Sequence, residues 1–593
     1  LACLLACLVT WFCVLACAQI PFLISLRGCG LVLLKMAAYK DAVARLAVAY
    51  PRAKDMVYRY GTAGFREPAE VLDSVFLRVG MLSWVRALST RASVGLMVTA
   101  SHNPHRDNGV KLVDPDGGML SQNWETFATD LCNAQEGDVV EVLEQICKDA
   151  GVDLDQKLPE NVQVYIGWDT RRHSQRLADI AAQGVEAIGG RLERIGVVTT
   201  PILHHCVRSS NLPEEVELAT VEGYNVKLGR AYASLVEGCE RPSKLIVDTA
   251  FGVGGPCFAK LNDSLGDLKL DVEARNVPTG AEDKLEEEAS KLNNGVGAEH
   301  VQKKLQFPEN VPKLPEERGS RCCSFDGDAD RIVYYRASDS DALNLFDGDK
   351  IACLYTFFIQ KQMSVLPESL TEYVKVGCIQ TAYANGASSK YIKETLNVEA
   401  PLTKTGVKHL HHKAVEYDVG VYFEANGHGT VLFNPTFIRQ LSDALPDLSG
   451  EKEIAAVKTL LALEQLINQA TGDAMADLLA VEAILAVEKM TLDDWDEFYT
   501  DLPSRQLKCT VSDRTAIKTN DDESRVLEPE SLQDAIDSLV SQYSSGRAFA
   551  RPSGTEDAVR VYAEASTSEE ADELAKKVLQ AVYDHAGGVG DRP

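Results

Sequence analysis

The 593-residue sequence lacks the cysteine spacings of a disulfide framework or a zinc site. Its 15 cysteines include no CxxC pair, and only Cys322 and Cys323 are adjacent, which indicates a reducing compartment. Basic residues are also few, with 60 lysines and arginines against 87 acidic residues and a net charge of −27. A surface this negative repels nucleic acids and anionic membranes. We therefore expect no nucleic-acid partner and no stable protein partner, and an anionic substrate would need a local basic site.

The first 26 residues contain no charged side chain and are long enough to span a bilayer. They lack the basic region and the clear cleavage site of a signal peptide. An amphipathic pattern begins only at Met36. We interpret residues 1–35 as a hydrophobic segment outside the fold, either upstream sequence or a gene-model error. A membrane anchor is the alternative, so membrane contact is expected only if this segment is real, and the expected location is the cytosol.

Apolar strand-like runs alternate with helical patterns along the rest of the chain. Three such runs, Val162–Gly167, Lys244–Val247 and Cys322–Phe325, are each followed within two residues by an aspartate. Strand, polar loop and helix in succession are typical of open α/β sheets, in which ligands bind beyond the strand ends. The length suggests three to five domains, and the spacing of about 80 residues between the three runs indicates repeated α/β units. The stretch 451–490 is predicted to be strongly helical, because its apolar residues recur at three-to-four spacing.

The loop SFDGDADR places three carboxylates close together in the sequence. Asp326, Asp328 and Asp330 are separated by single small residues, which let the loop curl around one hard cation. Carboxylates crowded in this way repel one another unless a cation is present. A calcium EF-hand is excluded, because Arg331 stands where that loop needs glycine and Ala337 where it needs glutamate. A solvated acidic turn is the alternative. Arg331 suggests that an anion also approaches the metal.

The stretch RPSGTEDAVR has the composition of a phosphate-binding loop. Arg551 supplies a planar set of donors, Ser553 and Thr555 supply hydroxyls, and Gly554 lets backbone N–H groups approach an oxyanion. Arg560 follows on a predicted strand. The alternative interpretation is a Pro-Ser-Gly turn with a helix cap.

A third loop, EANGHG, lies between two apolar arms. Glu424, Asn426 and His428 combine donors and acceptors that suit sugar hydroxyls. An ordinary Asn-Gly hairpin turn is an equally serious interpretation.

The run Val94–Val98 ends at Ser101-His102, which lies outside the GxSxG frame of a hydrolase nucleophile. Ser101 alone could be a helix cap and Lys111 a surface lysine. Arg66 follows a glycine-rich turn, where an arginine usually forms a surface salt bridge.

Taken in order, TASHNP, DGDADR, EANGHGT and RPSGTED resemble the α-D-phosphohexomutase superfamily. Further stretches, among them YGTAGFR (60–66) and QTAYANGAS (380–388), resemble its eukaryotic phosphoacetylglucosamine mutase branch. The resemblance covers residues 57–590. The sequence departs from it in GWDTRRHS, at Trp168, Arg172 and His173, and at His105-Arg106, where an acidic pair is common.

The resemblance implies an α/β fold of four domains around a central cleft, three related α/β domains and a C-terminal α+β domain. The implied domains are 52–210 with the phosphoserine loop, 211–340 with the metal loop, 341–465 with the sugar loop and 475–590 with the phosphate loop.

The resemblance also implies the chemistry. Ser101 would be phosphorylated and would bind one Mg²⁺ per subunit together with Asp326, Asp328 and Asp330. The implied catalytic residues are Ser101, His102, Lys111 and Arg66, with Lys111 favoured over His102 as the general base. The implied substrate-binding residues are Arg331, Glu424, Ala425, Asn426, His428, Arg551, Pro552, Ser553, Gly554, Thr555 and Arg560.

The activity implied is the interconversion of N-acetylglucosamine 6-phosphate and 1-phosphate, with a hexose 1,6-bisphosphate as intermediate or activator, in support of UDP-GlcNAc biosynthesis. A phosphoglucomutase or phosphomannomutase of the same superfamily is the nearest alternative. A metal-dependent sugar phosphatase and a catalytically inactive sugar-phosphate-binding paralogue are the more distant ones.

Overall fold

The computed structural model describes residues 39–593 except 62, 281–283, 313–316, 318, 338–341 and 555. The predicted hydrophobic segment 1–35 lies outside the described residues. Within them, no helix combines the length and the apolar character that a membrane span requires.

The first sheet has five strands and carries the Ser101 loop. Its strands are β1 (Phe65–Pro68), β2 (Val94–Val98), β3 (Asp107–Val113), β4 (Val164–Trp168) and β5 (Leu192–Val197), in the order β1-β3-β2-β4-β5. Strands β2, β4 and β5 are parallel, whereas β3 runs antiparallel to both β2 and β1. Residues 39–49 are helical, and helices Asp73–Thr90, Gln122–Asn133, Val139–Asp149, Ser174–Ala187 and Thr200–Asn211 follow.

The second sheet also has five strands and carries the aspartate loop. Its strands are β6 (Leu245–Asp248), β7 (Val272–Arg275), β8 (Arg321–Phe325), β9 (Ile332–Ala337) and β10 (Leu343–Phe346), in the order β10-β9-β8-β6-β7. As in the first sheet, three parallel strands are extended by an antiparallel hairpin, here β8 and β9. The accompanying helices are Val221–Leu235, Gly254–Ser264, Leu285–Lys291 and Ala298–Lys304.

The third sheet repeats the arrangement with four strands. They are β11 (Val376–Thr381), β12 (Leu402–Thr403), β13 (Val419–Phe423) and β14 (Gly429–Phe433), in the order β12-β11-β13-β14, and the β13–β14 hairpin carries the EANGHG loop. Its helices are Gly348–Met363, Glu368–Thr371, Gly386–Lys390, Val407–Ala414 and Pro435–Ala444. In all three sheets the predicted site loop is therefore the turn of the antiparallel hairpin.

The C-terminal region has a different, antiparallel sheet. Its strands are β15 (Ser504–Thr510), β18 (Arg547–Pro552) and β19 (Ala558–Glu564), in the order β15-β19-β18, with a small separate hairpin of β16 (Lys518–Thr519) and β17 (Val526–Glu528). Helices Glu530–Val540 and Ser568–His585 cover it. Three related α/β units and a C-terminal α+β unit confirm the predicted fold class, while the exact domain bounds stay predictions.

The stretch 451–490 is strongly helical as predicted, and it is divided into separate helices. The structure has helices Glu451–Leu466, Ala474–Glu488 and Leu492–Asp496, with a break at 467–473. Gly472 in that break lies against the aspartate loop, since a β-carbon there would be 2.6 Å from the carbonyl oxygen of Asp330. The second helix is buried on all sides from Ala474 to Ala486, which explains why its pattern lacks a polar face.

Two glycines allow helices Asp73–Thr90 and Ser174–Ala187 to cross with their backbones in contact. A β-carbon on Gly80 would lie 2.0 Å from the carbonyl oxygen of Ala181, and one on Gly184 would lie 2.0 Å from that of Leu77.

Gly80→Ala tests this close crossing. We expect the added methyl group to overpack the interface and to lower the free energy of unfolding by about 1–3 kcal/mol. Calorimetry would measure this loss as a lower melting temperature.

The matched control is Gly229→Ala in helix Val221–Leu235, where the nearest atom to a β-carbon is a flexible leucine methyl at 3.5 Å. There, alanine should stabilise the helix by up to about 1 kcal/mol. Equal melting temperatures for the two variants would contradict the close crossing.

Candidate active site

Ser101 lies in a strained, buried turn directly after β2. Its φ is 49°, a left-handed conformation uncommon for residues other than glycine, and its side chain is fully buried. Its N–H donates to the Thr99 hydroxyl oxygen at 3.0 Å, and its Oγ donates to Asp326 Oδ2 at 2.8 Å. The turn therefore aims the hydroxyl of the first sheet at the aspartate loop of the second, and the helix-cap interpretation is wrong.

Polar groups that the sequence analysis did not select hold this turn in place. The carbonyl oxygen of Ser101 accepts hydrogen bonds from Arg171 at 3.0 Å and from Asn293 at 2.8 Å. Arg171 forms a buried ion pair with Asp169, which also accepts the Thr99 hydroxyl at 2.8 Å. Asp169 and Arg171 could have been found in the GWDTRRHS motif, but Asn293 comes from a loop with no sequence signal.

The three aspartates of the β8–β9 turn converge as predicted. Asp326, Asp328 and Asp330 are at most 4% exposed, and their ligand oxygens all lie within 4.8 Å of one another. Two of these oxygens, Asp328 Oδ1 and Asp330 Oδ1, are buried without a hydrogen-bond partner. Burial and the charges of Asp330 and Asp328 raise the pKa of Asp326 well above its usual range. Unpaired oxygens on crowded, buried carboxylates fit a hard divalent cation, so the solvated-turn interpretation is wrong.

Two basic side chains, one from the first sheet and one from the β8–β9 turn itself, lie beside the aspartates. Lys111, on β3, places its Nζ 3.1 Å from Asp328 Oδ2 and 2.9 Å from Asp330 Oδ2. Arg331 Nε lies 3.8 Å from Asp326 and 3.7 Å from Asp330. Burial would lower the pKa of Lys111, but the two aspartates outweigh burial and raise it. Lys111 is therefore a largely buried cation beside the aspartates, and the interpretation as a surface lysine is wrong.

Thr200, which the sequence analysis missed, donates its hydroxyl to Asp328 Oδ2 at 2.6 Å. It begins the helix that follows β5, where Pro201 is typical of a first helical turn. The one sequence signal for Thr200 as a site residue is its position directly after a strand.

His102 and Arg66 flank the Ser101 turn. His102 Nδ1 lies 3.5 Å from Ser101 Oγ, and its Nε2 lies 3.4 Å from Glu299 Oε2. Burial, followed by the charges of Arg331 and Arg66, lowers the pKa of His102 far below its usual value. The imidazole is therefore neutral, and its contact with Glu299 is a polar contact without a charge pair. Arg66, on β1, donates to the Asn103 side chain at 3.4 Å.

The EANGHG loop packs directly on the aspartate loop. His428 Nδ1 donates to the carbonyl oxygen of Asp330 at 2.8 Å, and the N–H of Ile332 donates to the Gly427 carbonyl oxygen at 3.1 Å. Gly427 has a φ of 85°, and a β-carbon there would lie 1.9 Å from the Ile332 carbonyl oxygen. The loop is a tight turn, and it also presents half-buried Glu424, Ala425 and Asn426 beside the aspartates.

The RPSGTED loop joins β18 to β19, so no helix follows it and the helix-cap interpretation is wrong. Arg551 on β18 and Arg560 on β19 lie directly opposite each other in the register of the two antiparallel strands. Ser553 is 4% exposed, Gly554 is exposed and Pro552 ends β18; Thr555 lies outside the described residues. Two arginines beside a turn of small residues have the chemistry that an anion-binding site requires.

Arg551 contacts residues outside its own strand pair. Its Nε donates to the Tyr383 hydroxyl at 3.1 Å, and its Nη1 lies 3.3 Å from Glu523 Oε2. Tyr383 belongs to the QTAYANG stretch of the third sheet, and neither residue was predicted to be part of the site.

Models of protein families match nearly the whole described chain. Residues 68–137 and 135–219 match "Phosphoglucomutase/phosphomannomutase, alpha/beta/alpha domain I", and residues 466–581 match the C-terminal domain of that class. Residues 231–333 and 347–490 match "Phosphoacetylglucosamine mutase AMG1", domains II and III. The fold and the site thus define an α-D-phosphohexomutase.

Similar individual proteins indicate which branch of the phosphohexomutase superfamily the chain belongs to. The phosphoacetylglucosamine mutase of Sus scrofa is 46% identical over 93% of this chain and 99% of its own length, and that of Arabidopsis thaliana is 44% identical over 91% and 97%. The crystal structure of Aspergillus fumigatus N-acetylphosphoglucosamine mutase in complex with GlcNAc-6P and magnesium has a TM-score of 0.85 at 40% identity, covering 92% of this chain and 99% of that one. The chain belongs to the phosphoacetylglucosamine mutase family.

The geometry of the aspartates predicts that Mg²⁺ stabilises the folded protein. A cation that binds only the native state should add about 2.7 kcal/mol at one hundred times its dissociation constant, seen as a rise in melting temperature. Asp328→Asn and Asp330→Asn should each remove most of that rise, because each deletes a carboxylate charge from the cluster. Asp349→Asn, which alters a buried aspartate outside the cluster, should retain it. A full Mg²⁺ effect in all three variants would contradict the site.

Proposed function

We propose that this protein interconverts N-acetylglucosamine 6-phosphate and N-acetylglucosamine 1-phosphate through a phosphorylated Ser101. The observation that carries the proposal is the 2.8 Å hydrogen bond between the buried Ser101 hydroxyl and Asp326. It joins the nucleophile of one sheet to the acidic loop of another, where a cation would lie beside a phosphorylated serine. Family membership supports the choice of substrate, and it favours this activity over the phosphoglucomutase, phosphatase and inactive-paralogue alternatives.

The residues present fit one Mg²⁺ per subunit. Asp326, Asp328 and Asp330 would hold it, with an oxygen of phosphorylated Ser101 as a further ligand. Bound Mg²⁺ would neutralise charge on the transferring phosphoryl group. A phosphoserine adds about −1.5 to −2 charge, which Arg331 and Arg66 would offset from their positions around the turn.

Transfer begins when the sugar 1-hydroxyl attacks the phosphorus of phosphoserine 101. The new bond joins that oxygen to phosphorus, the bond from phosphorus to Ser101 Oγ breaks, and the hydroxyl proton passes to a base. The product of this half-reaction is a 1,6-bisphosphate, in keeping with a relative from Aspergillus fumigatus that was crystallised in complex with glucose 1,6-bisphosphate. The bisphosphate then turns within the site, and Ser101 Oγ attacks the phosphorus of the 6-phosphate. The bond from that phosphorus to the sugar 6-oxygen breaks, the 6-oxygen takes a proton from the base, and the 1-phosphate is left as product.

Lys111 is our preferred base, since it reaches the aspartates from the strand opposite Ser101. In the structure, Asp328 and Asp330 favour its protonated form. A cation on the same carboxylates would weaken that preference. His102 is the alternative, because it is neutral and lies beside the Ser101 hydroxyl.

Substrate recognition would fall to the other two loops. The phosphate not undergoing transfer would bind Arg551, Ser553, Gly554, Thr555 and Arg560, with Pro552 shaping the turn. Glu424, Ala425, Asn426 and His428 would contact the sugar. Because the sugar turns over once per cycle, the same phosphate pocket would serve both ends of the molecule. Approach of the 475–590 domain to the other three, 52–210, 211–340 and 341–465, would keep water from the phosphoserine.

Replacing the nucleophile tests the proposal directly. Ser101→Ala should lower the rate of interconversion at least 1,000-fold, on the order of the effect of removing a covalent nucleophile. The assay couples N-acetylglucosamine 1-phosphate formation to a reporter enzyme in the presence of Mg²⁺, and mass spectrometry of the active protein should find phosphate on Ser101.

The matched control is Ser83→Ala, which removes another buried serine hydroxyl, one that donates only to the Gly80 carbonyl oxygen. It should leave the rate unchanged. Near-normal turnover in Ser101→Ala, or net release of inorganic phosphate by the native protein, would contradict the proposal.

The identity of the base is testable by two substitutions of similar size. If Lys111 is the base, Lys111→Met should lower kcat about 100- to 10,000-fold, whereas His102→Gln should lower it less than tenfold. The measurement is kcat at saturating substrate and Mg²⁺, with the Mg²⁺-dependent melting temperature as the check that the site remains assembled. If His102→Gln lowered kcat more than Lys111→Met did, His102 would be the general base.

A further inference from the structure

Arg551, which the proposed function assigns to the substrate phosphate, already has a carboxylate partner within the chain. Glu523 places Oε2 3.3 Å and Oε1 3.4 Å from Arg551 Nη1. The two side chains are only 15% and 19% exposed, so solvent screens the pair incompletely. Oε2 also accepts the backbone N–H of Thr405, from the third sheet's region, at 3.1 Å. One carboxylate thus links the phosphate loop to the neighbouring domain.

The turn that carries Glu523 is closed on itself and directs this side chain toward Arg551. Glu523 has a φ of 61°, and its N–H donates to the carbonyl oxygen of Asn520 at 3.1 Å. The Asn520 side chain in turn accepts the N–H of Arg525 at 3.0 Å. A glutamate in the left-handed region is uncommon, and these hydrogen bonds hold it there. The position of the carboxylate is therefore built into the turn.

The distances show that the pair is a weak one. Charge-assisted hydrogen bonds between an arginine and a carboxylate are typically about 2.7–2.9 Å long. Glu523 uses only the Nη1 end of the guanidinium, while Nε is directed at Tyr383 Oη at 3.1 Å. A phosphate offers three oxygens and about twice the charge of a carboxylate, so it would displace Glu523 from Arg551.

We propose that Glu523 is an internal anion that occupies Arg551 until a substrate phosphate replaces it. This inference rests on the proposed function of the Arg551 loop. Glu523 lowers the affinity of the pocket for phosphate, because its negative charge remains beside the bound group. It also supplies a ready partner for Arg551 when the phosphate leaves, which the pocket must allow twice in each catalytic cycle.

The test measures the affinity of the full-length protein for N-acetylglucosamine 6-phosphate by calorimetry, in a Ser101→Ala background that prevents turnover. Glu523→Gln removes the charge and keeps an acceptor for the Thr405 N–H. It should tighten binding about three- to tenfold at low ionic strength, as expected for removing one partly shielded charge near a phosphate. The gain should shrink as salt is added. In an Arg551→Gln background, the same change should alter the affinity less than twofold.

The matched control is Glu528→Gln on β17, which removes the same charge from the same hairpin but from an exposed pair with Lys518. It should leave the affinity unchanged. If Arg551→Gln weakens binding and Glu523→Gln fails to tighten it, the inference is overturned and the proposed function stands. If Arg551→Gln leaves the affinity unchanged, the assignment of the phosphate pocket itself is wrong.

Discussion

The structure depends on the burial of three carboxylates in one short turn. Asp326, Asp328 and Asp330 are too close together and too deeply buried to be charged without compensation. The β8–β9 hairpin itself supplies the Arg331 guanidinium and the backbone N–H of Asp330. The remaining partners come from elsewhere: Lys111 and Ser101 from the first sheet, Thr200 from the helix after β5, and His428 from the third sheet. One continuous hydrophobic core joins the three sheets, and the electrostatic requirement of this turn is met where they come together. The same contacts assemble the site.

The repeated sheet architecture explains how these partners reach the turn. Each of the first three sheets extends parallel strands with an antiparallel hairpin, and the hairpin turns carry Ser101, the aspartates and the EANGHG loop. Because the turns occupy equivalent positions, they meet when the sheets pack side by side. Gly427 makes the closest approach possible, since any side chain there would collide with the Ile332 carbonyl oxygen. Structural repetition and local glycine placement together give three different loops one common location.

Sequence reasoning identified the loops because each is chemically unusual over a few adjacent residues. The three strand-then-aspartate runs marked only two of the three related units, because β6 and β8 belong to the same sheet. The third unit was implied only by the family resemblance. Asn293 and Thr200 were missed because they act through contacts between distant segments and have ordinary sequence surroundings. Tyr383 lies in the QTAYANGAS stretch that carries the resemblance, but its contact with Arg551 depends on the packing of two distant segments. The helical pattern over 451–490 did not reveal the break at 467–473, because helix propensity does not register that Gly472 lies against Asp330.

The chain carries a net charge of −27, yet its proposed substrate is an anion. The basic side chains of the site offset the negative field of the whole protein only locally. They form two groups, one around Ser101 and one at the phosphate loop. Around Ser101, the Lys111 ammonium lies within 3.1 Å of two aspartates, which suits a phosphoryl group that stays near one position. At the phosphate loop, Arg560 is half-exposed and Arg551 is held loosely by Glu523. This pocket must bind and release the phosphate at each end of the sugar in turn. It therefore needs a moderate affinity for phosphate, because a very tight phosphate contact would prevent the bisphosphate from turning.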